Sequence, residues 1–240
     1  MQRATQSDLL LVAVTVIAGI SWMFSKEAIA LMPPVLFMGL RFVLAATFLA
    51  CIGQRKLRQL SLEHMLRSAR VGTVFGVAML FWVLGLAHSP SMGEGAFLTS
   101  LGVLLVPVVA RVFFAEPVLR STWFALPVGM FGVVLLSSAQ GFTISWGQVF
   151  YLLSAVGLAV FFTLNTRAAT ITVRRSYLRK DTTELSAVDP LALTIIALGA
   201  GSVVMLLASL LLETSQVANV QWSPALLGWL LASAIIGTAV

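Results

Sequence analysis

The sequence predicts an all-α, polytopic transmembrane helix bundle, and three observations carry that prediction. Of its 240 residues, 59% are hydrophobic and only 10% charged, whereas soluble domains carry about 25% charged residues. Mean hydropathy is +1.00. The few charges fall in bunches, separated by apolar stretches close to the ~20 residues with which a helix crosses a bilayer core. No water-soluble surface can be assembled from such a chain. A soluble enzyme, a nucleic-acid binder and a disordered chain are therefore excluded, although a net charge of +6 would otherwise suggest a polyanion partner. The single cysteine, Cys51, can form no intrachain disulfide and anchors no metal cluster.

The spans follow in order from the charge-free gaps. Leu9–Leu31 is the first, carrying Lys26 and Glu27, and Val35–Gly53 is the second, interrupted by Arg41. Val71–Ala87 is the third and Ser91–Ala110 the fourth, with Glu94 near its start. Ser121 to Thr166 holds no charge at all. As one helix it would run about 69 Å, too far for a single crossing, so the Gln140-Gly141 turn signal divides it into a fifth and a sixth span. Leu191–Leu212 is the seventh, behind Asp189-Pro190 as N-cap and first helical residue. Pro224–Val240 is the eighth.

Basic residues orient these eight spans. Thirteen of the 15 Lys and Arg lie before span one or in the connections after spans two, four and six, and the remaining two are Lys26 and Arg41. By the positive-inside rule the N-terminus and those connections are cytoplasmic. The charge is thus a topological signal. Trp123, Trp146 and Trp222 fall at span ends, as interfacial aromatic belts require, whereas Trp22 and Trp82 lie well inside their spans. Ala28-Ile29-Ala30 after an apolar run also resembles a signal-peptide cleavage site, but the run is long for a signal core. The cytoplasmic loop 167–189 is the one sizeable polar segment. Within it Val173–Leu185 reads either as an amphipathic surface helix or as a solvated loop.

Spans one and two match spans six and seven weakly. Gly19 aligns with Gly157, Met23-Phe24-Ser25 with Phe161-Phe162-Thr163, and Pro34 with Pro190. An offset of five spans is odd, so the second copy enters from the opposite side and the repeat is inverted. With Trp22–Ala30, Pro33–Ala46 and the block from Ala87 to Val118, including Pro107 and Glu116, the chain resembles the EamA family of the drug/metabolite transporter superfamily. The resemblance implies an inner-membrane protein of two inverted five-helix repeats that moves small metabolites or drugs, mostly outward. On that pattern residues 1–140 form the first repeat, spans one to five. Residues 141–240 form a second repeat holding spans six to eight. Because span eight has no basic anchor after it, the expectation is a truncated second repeat.

Charges inside a membrane cost at least about 2.5–3.5 kcal/mol each at mid-span, so Lys26, Glu27, Arg41 and Glu94 need a reason. All four fall in the outer third and their charges sum to zero, which fits an outward-opening polar vestibule, an ion-paired structural cluster, or snorkelling to the interface. Glu94 reads either as a protonatable coupling site or as an acid favoured by its helix N-terminus. The candidate substrate cavity is lined by Trp22, Lys26, Arg41, Trp82, Glu94 and Asn165, with packing as the plain alternative for the two tryptophans. Gly72 and Gly76 have the spacing of close helix packing, and Pro107 and Pro127 would kink their helices. No catalytic or metal-binding motif is present and no cofactor is expected. The expected function is secondary transport of a small-molecule substrate, an amino acid, related metabolite or drug, by alternating access with protons as coupling ion. The partners are the lipid bilayer and, as an open option, a second copy in a homodimer. The alternatives are a non-transporting fragment or assembly partner and, last, an intramembrane enzyme.

Overall fold

The computed structural model describes residues 31–89, 92–115, 120–138, 145–170, 172–175, 182–217 and 222–239, with a few single residues between them. Of span one only Val12, Val16, Ile17 and Leu31 are described; Trp22, Lys26 and Glu27 lie outside the described residues, as does Glu116.

Helix α1 spans Pro34–Arg58. Pro34 takes the first helical position, where a missing N–H costs nothing. Arg55, Lys56 and Arg58 occupy the last turn, where cations favour the negative helix end. Helix α2 (Leu62–His88) opens on Ser61, whose hydroxyl accepts from the His64 backbone N–H. Both helices run beyond the apolar stretches that revealed them. Hydropathy does not register the turns bearing Arg55, Lys56, Arg67 and Arg70, yet their helix continues past the apolar layer. Helix α3 (Met92–Phe114) contains Pro107, and α4 (Arg120–Ser138) contains Pro127. Helix α5 (Trp146–Ala169) starts with a reciprocal cap: Ser145 Oγ accepts from Gln148 N–H, and Gln148 Oε1 accepts from Ser145 N–H.

Within the polar loop, the described residues form two short strands and not an amphipathic helix. Strands β1 (Thr172–Arg175) and β2 (Thr182–Leu185) pair antiparallel, with Thr172 opposite Leu185 and Arg175 opposite Thr182. Thr172, Val173, Thr182 and Thr183 are β-branched, and that preference prevails over an amphipathic helix. This hairpin is the exception, among the described residues, to a helical fold. Helix α6 (Pro190–Leu212) follows, then the single turn α7 (Thr214–Val217) and α8 (Pro224–Ala234), which passes into a π-helical stretch at Ile235–Ala239.

Five helices among the described residues are long and apolar enough to cross a membrane: α1, α2, α5, α6 and the Phe97–Phe114 part of α3. Their outward faces agree. Leu211 is 82% exposed and Phe113 70%, as expected of faces turned to a hydrocarbon solvent. In the bundle α1 packs on α6 and α8, α2 on α5 and α6, and α3 on α5 and α4. The core between α1, α6 and α8 is built from Phe37, Phe42, Met205, Leu226 and Leu230. Helices gain no hydrophobic drive from meeting each other in lipid, so close backbone approach must hold them. Gly72 and Gly76 provide it. A Cβ on Gly72 would stand 2.2 Å from the Ala197 carbonyl oxygen, and one on Gly76 would stand 2.8 Å from that of Gly201. Four small residues thus form the α2–α6 seam.

Helices α1 and α6 run antiparallel and are tied at both ends. At the basic end, Lys56 Nζ donates to Asp189 Oδ2 at 2.8 Å. Asp189 also accepts from the Leu191 and Ala192 N–H groups that begin α6. The Lys56 hydrogen bond, reinforced by the Ala192 N–H, holds the Asp189 carboxyl below its usual range. Nearby, Arg67 donates to the Ser186 carbonyl at 3.2 Å and to that of Arg167, and His64 Nε2 meets Ser186 Oγ at 2.8 Å. At the opposite end Glu213, buried just past α6, reaches across to α1. Its Oε1 accepts from Val35 N–H at 3.0 Å, and its Oε2 from Leu36 N–H at 2.9 Å and from the Ser209 hydroxyl at 3.0 Å. Pro33 gives α1 no side-chain cap. The two orphan donors of its first turn are satisfied by a residue on another helix.

Candidate functional site

Arg41 is the intramembrane charge whose surroundings are described. It sits on α1, about 10 Å in from the end that carries Pro34 at 1.5 Å per residue. Its Nε donates to Thr238 Oγ1 at 2.6 Å and its guanidinium NH2 to the Gly237 carbonyl at 2.9 Å. Both acceptors belong to the π-helical stretch after α8. A π turn is wider than an α turn and displaces its carbonyls from the regular register; such turns cluster at functional sites. Here the guanidinium is solvated by a hydroxyl and a backbone carbonyl of another helix, which offsets the cost of taking its charge out of water. Both of those acceptors are neutral.

One other candidate shares this depth. Trp82 of α2 is half-buried against the α1–α6 core, about 9 Å from the same face of the bundle. Glu94 occupies the third position of α3, and its side chain lies outside the described residues. Next to it, Gly95 packs on Tyr151 of α5. A Cβ there would stand 2.4 Å from the Tyr151 hydroxyl, and one on Gly85 of α2 would stand 2.8 Å from the same ring. Tyr151 is 1% exposed and so joins α2, α3 and α5 near the Glu94 turn. Asn165 stands apart. It is half-buried on α5, about 28 Å from that helix's start, one turn beyond Phe161. A chain of tilted rings, Phe42, Phe75, Phe161 and Phe162, with centroids 5.2, 4.8 and 5.3 Å apart, connects α1 through α2 to α5.

Sequence reasoning missed Glu213, Tyr151, Gly237 and Thr238. Glu213 had one visible signal, being an acid at the end of an apolar span, and the Pro33-Pro34 start of α1 had another in its lack of a capping residue. Thr238 and Gly237 had none, since π geometry leaves no residue signature. Among the described residues no group of His, Cys, Asp or Glu could hold a metal ion.

This arrangement of apolar helices has relatives. The EamA-like transporter family matches residues 5–138. The chain belongs to that family. Among curated relatives, the uncharacterized transporter YvbV of Bacillus subtilis (strain 168) is 26% identical over 254 aligned residues, which take in 98% of this chain and 76% of that protein. A solved crystal structure superposes with a TM-score of 0.53 at 18% identity, covering 95% of this chain and 76% of the other. At that identity the likeness speaks for the fold alone. Membership of the EamA family points to a transporter rather than an enzyme, a multi-pass protein of the lipid bilayer with a small-molecule substrate.

Proposed function

We propose that this EamA protein is a secondary transporter of the inner membrane. It exports small metabolites, amino acids or related compounds, or drugs, by proton-coupled alternating access. Its N-terminus and its basic loops are cytoplasmic, as the distribution of 13 of 15 basic residues on one side requires. Two inverted repeats meet near residue 140, close to where the family match ends at residue 138.

The observation that carries this reading is Arg41 bonded to the π-helical stretch after α8. On the repeat boundaries above, the arginine comes from the first repeat and its acceptors from the second. Interrupted helices at a repeat interface are where secondary transporters place substrate and coupling ions. A carboxylate-bearing substrate would take the Arg41 donors in a bidentate pair and release the Gly237 carbonyl and Thr238 hydroxyl, loosening one repeat from the other. Trp82 at the same depth supplies an apolar wall.

Transport into and out of proteoliposomes tests this, with a panel of amino acids and neutral drugs under an imposed pH gradient. Flux of at least one carboxylate-bearing compound is expected, with its mass unchanged after passage. Arg41→Gln should lower that flux by about tenfold or more, the range lost when one charge-assisted contact of about 1.5–3 kcal/mol is removed. Arg41→Lys should recover only part, because an ammonium cannot reproduce the planar fork. Undiminished flux in correctly folded Arg41→Gln protein would remove Arg41 from the transport path.

A further inference from the structure

We propose that the basic end of α1 carries a binding site for the headgroup of an anionic phospholipid. A cavity of about 370 Å³ opens there, lined by residues 51–56 of α1 and by Leu191 of α6. Gly53 shapes it. With no side chain of its own, Gly53 lets α6 close in, and a Cβ there would stand 2.8 Å from Ile195 Cδ1. The cavity lies well away from Arg41, at the other end of the same helix, and the transport reading does not use it.

The chemistry of the lining selects an anion. Lys56 is committed to Asp189, and Asp189 already fills the N–H groups that open α6. The C-terminal end of α1 would by itself repel a negative group. Arg55, exposed beside the cavity, is therefore the cation in its lining that is left to attract one. A guanidinium binds phosphate oxygens bidentately, and Lys56 has further N–H donors at hand.

Its setting selects a lipid over a free ion. Phe48 and Ile52 are 39% and 66% exposed and stand at i and i+4 on the α1 surface, with Arg55 and Lys56 a further turn on. An apolar track for an acyl chain thus runs along the helix directly into the cavity. Basic pockets between transmembrane helices near the headgroup layer hold anionic lipid headgroups in this way.

The protein carries its own reporter, because Cys51 is its single cysteine, is exposed and lines the cavity. In mixed phosphatidylglycerol and phosphatidylcholine micelles, native mass spectrometry should show phosphatidylglycerol retained over phosphatidylcholine by about fivefold or more, the share one arginine supplies at a membrane surface. Arg55→Gln should abolish the preference, while Arg58→Gln, outside the cavity, should keep it. In nanodiscs, maleimide labelling of Cys51 should be slower with phosphatidylglycerol than with phosphatidylcholine for the native chain, and the difference should shrink in Arg55→Gln. Equal retention of the two lipids by the native chain overturns the proposal without need of any variant. Equal loss in Arg58→Gln and Arg55→Gln also overturns it, by showing a diffuse surface attraction. Protection of Cys51 by inorganic phosphate in phosphatidylcholine discs, to the same extent as by phosphatidylglycerol, replaces the lipid with a free anion.

Discussion

The two ends of the α1–α6 pair solve one problem in different media. At the basic end, Lys56 and Asp189 meet with side chains 51% and 38% exposed; water screens them and can replace either partner. At the far end Glu213 is only 7% exposed and accepts from two backbone N–H groups and a hydroxyl. Exposed pairs typically contribute under about 1 kcal/mol, whereas a buried donor left unsatisfied costs about 1–3 kcal/mol. The same antiparallel contact is therefore expendable at one end and dependent on a single carboxylate at the other.

The strongest way to break this comparison is Glu213→Ala. It leaves the Val35 and Leu36 N–H groups without their acceptor, and we expect a loss of about 3 kcal/mol in unfolding of the detergent-solubilised protein. Glu213→Gln should recover part of it, since a carboxamide keeps one accepting oxygen. Native-like stability in Glu213→Ala would mean that the tie at the Pro34 end is no stronger than the one at the basic end. Between the two ends, backbone proximity governs, and paired glycine substitutions isolate it. Gly72→Ala must push α2 from α6 and should cost about 2 kcal/mol. Gly199→Ala on α6 meets nothing within 4 Å and should be neutral or slightly stabilising through helix propensity; similar melting temperatures for the two variants would refute the seam.

The smallest effect belongs to the basic end. Asp189→Asn should cost less than about 1 kcal/mol, and its signature is a pH dependence. The Asp189 carboxyl is held below its ordinary value by Lys56. Its contribution is therefore complete above an unfolded pKa of about 3.9 and disappears as pH falls through the lower folded value. Melting temperatures recorded from pH 6 down to pH 3 should show the native chain and Asp189→Asn converging at the acid end. A constant gap across that range would show that the tie does not titrate.

Much of this fold was legible because the bilayer leaves so few choices. Apolar length and basic punctuation located five spans that the described residues contain, and Asp189-Pro190 announced the start of α6 from its own side chain and ring. What stayed hidden depended on partners distant in sequence. Pro33-Pro34 opens a helix with no local cap, and nothing in the chain nearby points to Glu213. Arg41 was legible as an anomaly, since a charge within a span is costly, but its acceptors, a hydroxyl and a backbone carbonyl far along the chain, were not. The hairpin at Thr172–Leu185 was obscured by its arginines, which fit a surface helix as well as a strand. The seam made by Gly72 and Gly76 was visible from one side only. Their spacing showed that some helix comes close, and Ala197 and Gly201 show which.

The cap on α1 also imposes an order in time. Val35 and Glu213 are 178 residues apart, and a ribosome adding about 5–20 residues per second takes roughly 9–36 s to pass from one to the other. Throughout that interval the first turn of α1 holds two backbone donors whose final acceptor has not been made. Until α6 is complete, those groups must find partners in the interface or in the insertion machinery. The cap on α1 thus waits for the end of a helix from which it is separated by four long helices.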